Sequence, residues 1–223
     1  MHQPLDDSLP IPCQARDLAG FRAWAVSPRF PERGRIDFLA GRLEVDMSPE
    51  DLLTHGLVKT EIAAVLHFLI ARRGLGEVYV DRARISSPAA DLSVEPDVVV
   101  VFRDTLDSGR LRYIPAASGK PGRYIEMEGA PDLVVEILSD RSVRKDLVHL
   151  PPLYAAAGTP ELWRVDARQE RLRFEILALD AGGYVRMRPA AQGWTRSPRL
   201  GRRFRLVRHP AGSGREGYRL EHD

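Results

Sequence analysis

The sequence predicts an α/β or α+β fold, in which a mixed β-sheet is flanked by helices and followed by additional antiparallel strands. Three observations predict it. Two apolar runs, SVEPDVVVVFR and PDLVVEIL, are continuous enough to be strands buried on both faces. Between them and the N-terminus, Leu53, Leu57, Val58, Ile62, Val65, Leu66 and Leu69 recur at helical spacing. Towards the C-terminus, LRFEILALD, GYVRMR and RFRLVR read as antiparallel strands.

Each element has a local cause. Residues 1–14 are expected to form a flexible arm, and ARDLAGFRAWAV a short helix with Leu18, Phe21, Trp24 and Ala25 on one face. RIDF and RLEVD flank a turn at Gly41 and predict a hairpin. Ser48, Pro49, Glu50 and Asp51 then supply the cap, first-turn proline and acidic start of the long helix, which Gly74 or Gly76 should stop. EVYVDRARI reads as one strand over 77–85, a second strand begins at Asp97, and the polar stretch 104–124 reads as a loop. After the strand carrying Glu136, SDRSVRKDLVHLPPLYAAAG predicts a helix that Pro151 and Pro152 kink, and PELWRVDA a returning strand. Residues 15–208 are expected to form one domain, and 209–223 a mobile tail.

A chain of 223 residues with 43% hydrophobic content can bury a substantial core. Its single cysteine, Cys13, excludes an internal disulfide, and the N-terminus carries no basic start followed by an apolar core, so a cytoplasmic location is expected. No apolar run approaches the roughly 18 residues of a membrane span, so no membrane partner is expected. The net charge of +2 is unevenly spread: from Gly182 onward ten arginines face three acids, so that stretch carries +7 and the remainder −5. Such asymmetry suits contact with nucleic acid. Three lysines against thirty arginines also indicate a general preference for arginine.

The residue out of place is Glu136. An unpaired carboxylate inside an apolar strand costs several kcal/mol, roughly, so something must compensate it. Asp132 shares its face but lies roughly 13 Å away along an extended strand, too far to share an ion with it. The likeness of VEPDVVVV to APDLVVEIL suggests adjacent strands, which would bring Asp97 towards Glu136. Two carboxylates repel unless a cation lies between them, and hard ions such as Mg²⁺ or Mn²⁺ take oxygen ligands. The competing reading is structural, with Glu136 paired to an arginine and Asp97 turned away. Asp132, at the strand entrance, reads as structural, Tyr154 and Trp163 as core aromatics. No nucleophile elbow, phosphate loop or zinc cluster appears, and GSGREG lies too near the C-terminus to open a nucleotide-binding unit.

PDVVVV, PDLVVEILS, RKD and the tyrosine–WRVD spacing resemble the Uma-type restriction endonuclease family, a branch of the PD-(D/E)XK nuclease superfamily. The resemblance extends from about Arg35 to Asp166. It implies a restriction-endonuclease-like core, with Asp97 and Glu136 as catalytic metal ligands, the Ile137 carbonyl completing the site, Asp37 as a third acid and His55 in the next helix. It also implies Mg²⁺ or Mn²⁺ as cofactor and DNA as substrate. Arg141, Arg144 and Lys145 are expected to meet nucleic acid, and a twofold dimer would suit two duplex strands. No nucleotide cofactor is implied.

Lysine is the departure. The two positions where the resemblance places one hold Leu138 and Leu150. Lys145 lies about 140° around an ideal helix from position 150 and should aim elsewhere unless the prolines change the geometry; Lys59 and His149 are the other candidates. The alternative to an active endonuclease is therefore a catalytically weakened DNA-binding or regulatory module on the same fold.

Overall fold

The chain turns from the first strand into the second through Ala40 and Gly41, both with positive φ (46° and 80°), the two-residue geometry that matches strand twist. The computed structural model describes residues 11–116, 120–212 and 214–223. The first ten residues of the expected arm lie outside these, and Cys13–Arg16 forms a 3₁₀ turn ahead of helix α1 (Leu18–Ala25), which Asp17 caps. Strands β1 (Arg35–Leu39) and β2 (Arg42–Asp46) form the hairpin, followed by α2 (Leu57–Leu69), β3 (Gly76–Val80), β4 (Arg84–Ser87), β5 (Leu92–Val94) and β6 (Val98–Phe102). Helix α3 (Arg103–Asp107), β7 (Leu111–Pro115), β8 (Tyr124–Gly129) and β9 (Leu133–Ile137) lead to α4 (Leu150–Ala157). Beyond it come β10 (Glu161–Asp166), β11 (Arg173–Asp180), β12 (Gly183–Arg186), β13 (Thr195–Ser197), β14 (Arg202–Pro210) and β15 (Glu216–His222).

Two six-stranded sheets stack, ordered β2-β1-β5-β4-β8-β7 and β12-β11-β10-β9-β6-β3, with β13-β14-β15 as a third, smaller sheet. Pairing is mixed: β9 runs parallel to β10 and β4 to β8, and the other pairs are antiparallel. Side-chain alternation builds the layers. On the second sheet Val98, Val100, Leu133, Val135 and Trp163 face α2 and the third sheet, while Val99, Val101, Val134 and Leu162 face the first sheet and α4. Helix α1 covers the first sheet's other face with Leu18, Phe21 and Trp24 on Ile36 and Phe38.

Several expectations change. EVYVDRARI is two strands in different sheets, because the chain turns through Asp81 and Arg82, both in the left-handed region. The 104–124 stretch holds α3 and β7, anchored by Asp132. That aspartate is fully buried, as a structural acid should be, but it is satisfied by the Phe102 amide, the Thr105 hydroxyl and Arg199 rather than by solvent. The expected mobile tail instead contains β15, whose Tyr218 and Leu220 are buried and whose Leu220 amide donates to Glu61. Ser48 does not cap the long helix, because its amide and hydroxyl are bound to Asp46; Asp51 does, accepting from the Leu53 and Thr54 amides. Leu53 and Leu57 lie outside the buried stripe, and Gly74 ends the run in the left-handed conformation. The continuous helical stretch Leu52–Arg73 is, against expectation, long and apolar enough by composition to cross a membrane. Here Val58, Ile62, Leu66 and Leu69 pack it onto the sheets as a core helix.

Trp163 centres the larger core. It is fully buried, meets Phe174 edge-on at 5.3 Å and Phe204 at 4.9 Å, and donates its indole N–H to Glu161 at 2.6 Å. Trp163→Ala is expected to cost about 3–5 kcal/mol, read as a lower denaturant midpoint at unchanged slope. Glu161 also accepts from the Ser197 hydroxyl and the Arg199 amide. Burial raises its carboxyl above the ordinary value despite those donors. The native state therefore holds this proton more tightly than the unfolded chain, and stability falls as pH rises from the ordinary carboxylate range through the raised value. Glu161→Gln should flatten that part of the melting-temperature profile relative to the wild type.

Candidate active site

The register that joins Val98 to Val135 sets Asp97 and Glu136 side by side at the ends of paired strands. Asp37 joins them, because strand alternation sends Ile36 and Phe38 towards α1 and Asp37 between the sheets. All three are buried. Asp97 Oδ2 accepts from the Ile137 amide at 2.8 Å and lies 3.3 Å from His55 Nε2, while Oδ1 accepts from Arg35 at 2.8 Å. Burial alone would raise the Asp97 carboxyl, but His55 and Arg35 outweigh it and hold it below the usual carboxylate range.

Among the described residues Glu136 is bonded to no arginine. Its Oε1 accepts from the Tyr154 hydroxyl at 2.5 Å. Burial pushes its carboxyl well above the ordinary range, and the charges of Asp146 and Asp97 push the same way against Lys145 and Arg35. Asp146 is also buried, its carboxyl pushed up to about 6 by burial despite Lys145 and Ser142. Its Oδ2 accepts from the Ser142 hydroxyl, and its Oδ1 has no partner among the described residues.

Lys145 is not on the solvated surface. Its ammonium is 2.9 Å from Asp37 Oδ2, its side chain only 12% exposed. Burial disfavours that charge, but Asp37, Glu136 and Asp146 together raise its pKa above the ordinary value. The ideal-helix geometry that aimed it elsewhere fails for a backbone reason. Pro151 and Pro152 have no N–H to return to the preceding turn, and residues Lys145–His149 wind as a π turn in which the Leu150 amide donates to the Lys145 carbonyl. That i→i+5 bond stacks position 145 one turn beneath position 150. Leu150 and Leu138 are both buried, Leu150 within an apolar cluster.

A second π turn, Leu52–Gly56, opens the long helix and turns His55 inward. Its Nδ1 lies 2.6 Å from Glu50, and burial, which would lower its pKa, is outweighed by Asp97 and Glu50, which raise it. Lys59 pairs with Glu50 and Asp81, each at 2.6 Å, so it serves the rim of the site. A cleft of about 410 Å³ opens here, with Arg35, Glu50, His55, Ile137 and Lys145 among its lining residues. Arg141 and Arg144 are exposed beside it, Arg141 lining a smaller hollow with Arg35 and Asp37.

The donor chemistry suits a hard divalent cation: Asp97, Glu136 and Asp146 are buried carboxylates, and Asp146 Oδ1 has no partner among the described residues. As arranged, no three His, Cys, Asp or Glu side chains among the described residues form a preassembled metal cluster. Arg35, His55 and Lys145 supply the positive charge instead.

The description of the Uma2 family, "Putative restriction endonuclease", matches residues 18–206. The chain belongs to the Uma2 family. A solved structure, a putative nuclease belonging to DUF820 from Anabaena variabilis ATCC 29413, is similar to this Uma2 chain with a TM-score of 0.56 and 18% identity. The similarity covers 83% of this chain and 90% of that one. No curated protein matches. For this Uma2 chain the sequence reading missed Arg35, Tyr154 and Glu50. Arg35 had a signal, standing two residues before Asp37 on the same strand face. Tyr154 stands one helical turn beyond position 150, and its core reading concealed the hydroxyl.

Proposed function

We propose that this protein is a Mg²⁺- or Mn²⁺-dependent endonuclease that hydrolyses DNA phosphodiester bonds. The observation that carries this reading is the adjacency of Asp97 and Glu136 at the ends of the paired strands β6 and β9, with Lys145, paired to Asp37, lining the neighbouring cleft together with His55 and Ile137. Asp97, Glu136 and the Ile137 carbonyl would hold the cation, which supplies positive charge at the scissile phosphate and a more acidic water.

The chain's own residues do the rest. The Ile137 amide fixes one Asp97 oxygen, and Tyr154 fixes one Glu136 oxygen. Lys145, kept protonated by three acids, offers a localised charge to oxygens that become more negative in the transition state. Arg35 adds a guanidinium that stays charged at any working pH. His55, held between Glu50 and Asp97, is placed to hold or release a proton beside the cleft. Arg141 and Arg144, both exposed, would meet the phosphate backbone outside it.

The test is incubation of supercoiled plasmid with the protein and Mg²⁺, Mn²⁺ or EDTA. The expected result is nicking with either metal and none with EDTA. Salt-sensitive plasmid binding without nicking would favour the weakened DNA-binding module instead.

A further inference from the structure

The proposed chemistry uses one flank of the 138–147 segment and leaves the other unexplained. On that other flank, Leu138, Leu147, Arg164, Arg173, Glu175 and Asp166, whose carboxylate is held by Arg168, line a depression of about 260 Å³. Arg173 and Glu175 also line its continuation, a groove of about 480 Å³ that runs past Arg171, Arg186 and Arg205. The two form one track, from the end of the strand that carries Glu136 across β10 and β11 to β12 and β14.

Its charge is incompletely balanced. Arg164 and Arg186 share the single carboxylate of Glu175, at 2.7 and 3.1 Å. Arg205 is held by Glu221 and lies over the Trp194 ring at 5.0 Å. Arg171 and Arg173 are exposed and form no ion pair among the described residues, and Arg164 Nε is buried with no hydrogen-bond partner among them. Spare guanidinium donors along a groove suit repeated anionic oxygens, which guanidinium groups can bind two at a time. β12 stands three strand spacings from β9, about 14 Å, the axial length of about four nucleotides of one strand.

We propose that this arginine track binds the phosphate backbone of nucleic acid beyond the cut site, with Arg171 and Arg173 as its principal contacts. The choice of nucleic acid as the polyanion rests on the nuclease reading; the groove itself does not.

The test measures anisotropy of a short labelled DNA duplex in EDTA, over a salt series, so that binding is read without cleavage. Neutralising Arg171→Ser together with Arg173→Ser is expected to make the slope of log affinity against log salt shallower by about 1.8, two phosphate contacts at about 0.9 each. Arg171→Lys with Arg173→Lys, which keeps the charge, should retain the slope. Arg72→Ser with Arg73→Ser removes the same charge from exposed positions after α2 and should also retain it. A wild-type slope in the 171/173 serine variant, or an equal loss in the 72/73 variant, overturns the proposal. A wild type that shows groove-dependent binding but never nicks plasmid overturns the nuclease reading and leaves the groove standing.

Discussion

Glu136→Gln is expected to reduce metal-dependent plasmid nicking below detection while the protein stays folded. Glutamine keeps the length of the side chain and an oxygen that can accept from the Tyr154 hydroxyl, so the buried hydrogen bond survives. What it removes is the ability to become anionic beside Asp97. In the folded protein burial and two neighbouring acids already disfavour that anion, and a divalent cation would favour it. Calorimetry should therefore show Mn²⁺ binding that the glutamine variant loses, and proton release on binding in the wild type. Glu136→Ala should lose nicking equally, but also stability, because it strands the buried Tyr154 hydroxyl at a cost of about 1–3 kcal/mol. Nicking by the glutamine variant at the wild-type rate would remove Glu136 from the chemistry.

Lys145→Met is the second large effect. Methionine matches the aliphatic stem but brings no charge to the phosphate, and nicking should fall about 100- to 1,000-fold, as when one oxyanion donor is lost. Mn²⁺ binding should move the opposite way. The ammonium neutralises Asp37 and competes with any cation for the field of Glu136 and Asp146, so its removal should leave the metal bound at least as tightly. A merely structural lysine would weaken both. Lys145→Arg should recover charge and folding but little of the rate, since a guanidinium cannot occupy the compact position of an ammonium. Lys145→Met activity equal to wild type would return the role to Lys59 or His149.

Much of this was legible in the sequence, for specific reasons. An acid inside an apolar strand is a local contradiction that resolves only through its neighbours, so Asp97 and Glu136 could be paired by pattern alone. Asp37 and His55 followed by resemblance. The loop reading of 104–124 failed because β7 draws its stability from pairing with β8 in the first sheet, and α3 from the Thr105 hydroxyl bound to Asp132. The tail reading failed likewise: Glu216–His222 looks polar in isolation, yet its alternate residues Tyr218 and Leu220 complete the core beneath α2. The direction of Lys145 stayed open for a different reason. Composition and spacing describe an ideal helix, and whether two missing donors kink, break or widen it depends on the packing around them.

The widened turn at Lys145–His149 has a consequence for how such a site tolerates change. A helix whose hydrogen bonds slip by one residue rotates everything upstream about its axis, so a functional group can travel along the chain while its terminal atom stays near the same place in space. Here the rotation comes from a proline pair that never approaches a substrate. Chemistry and backbone geometry are thereby tied together at positions that a search for fixed residue spacings would treat as unrelated.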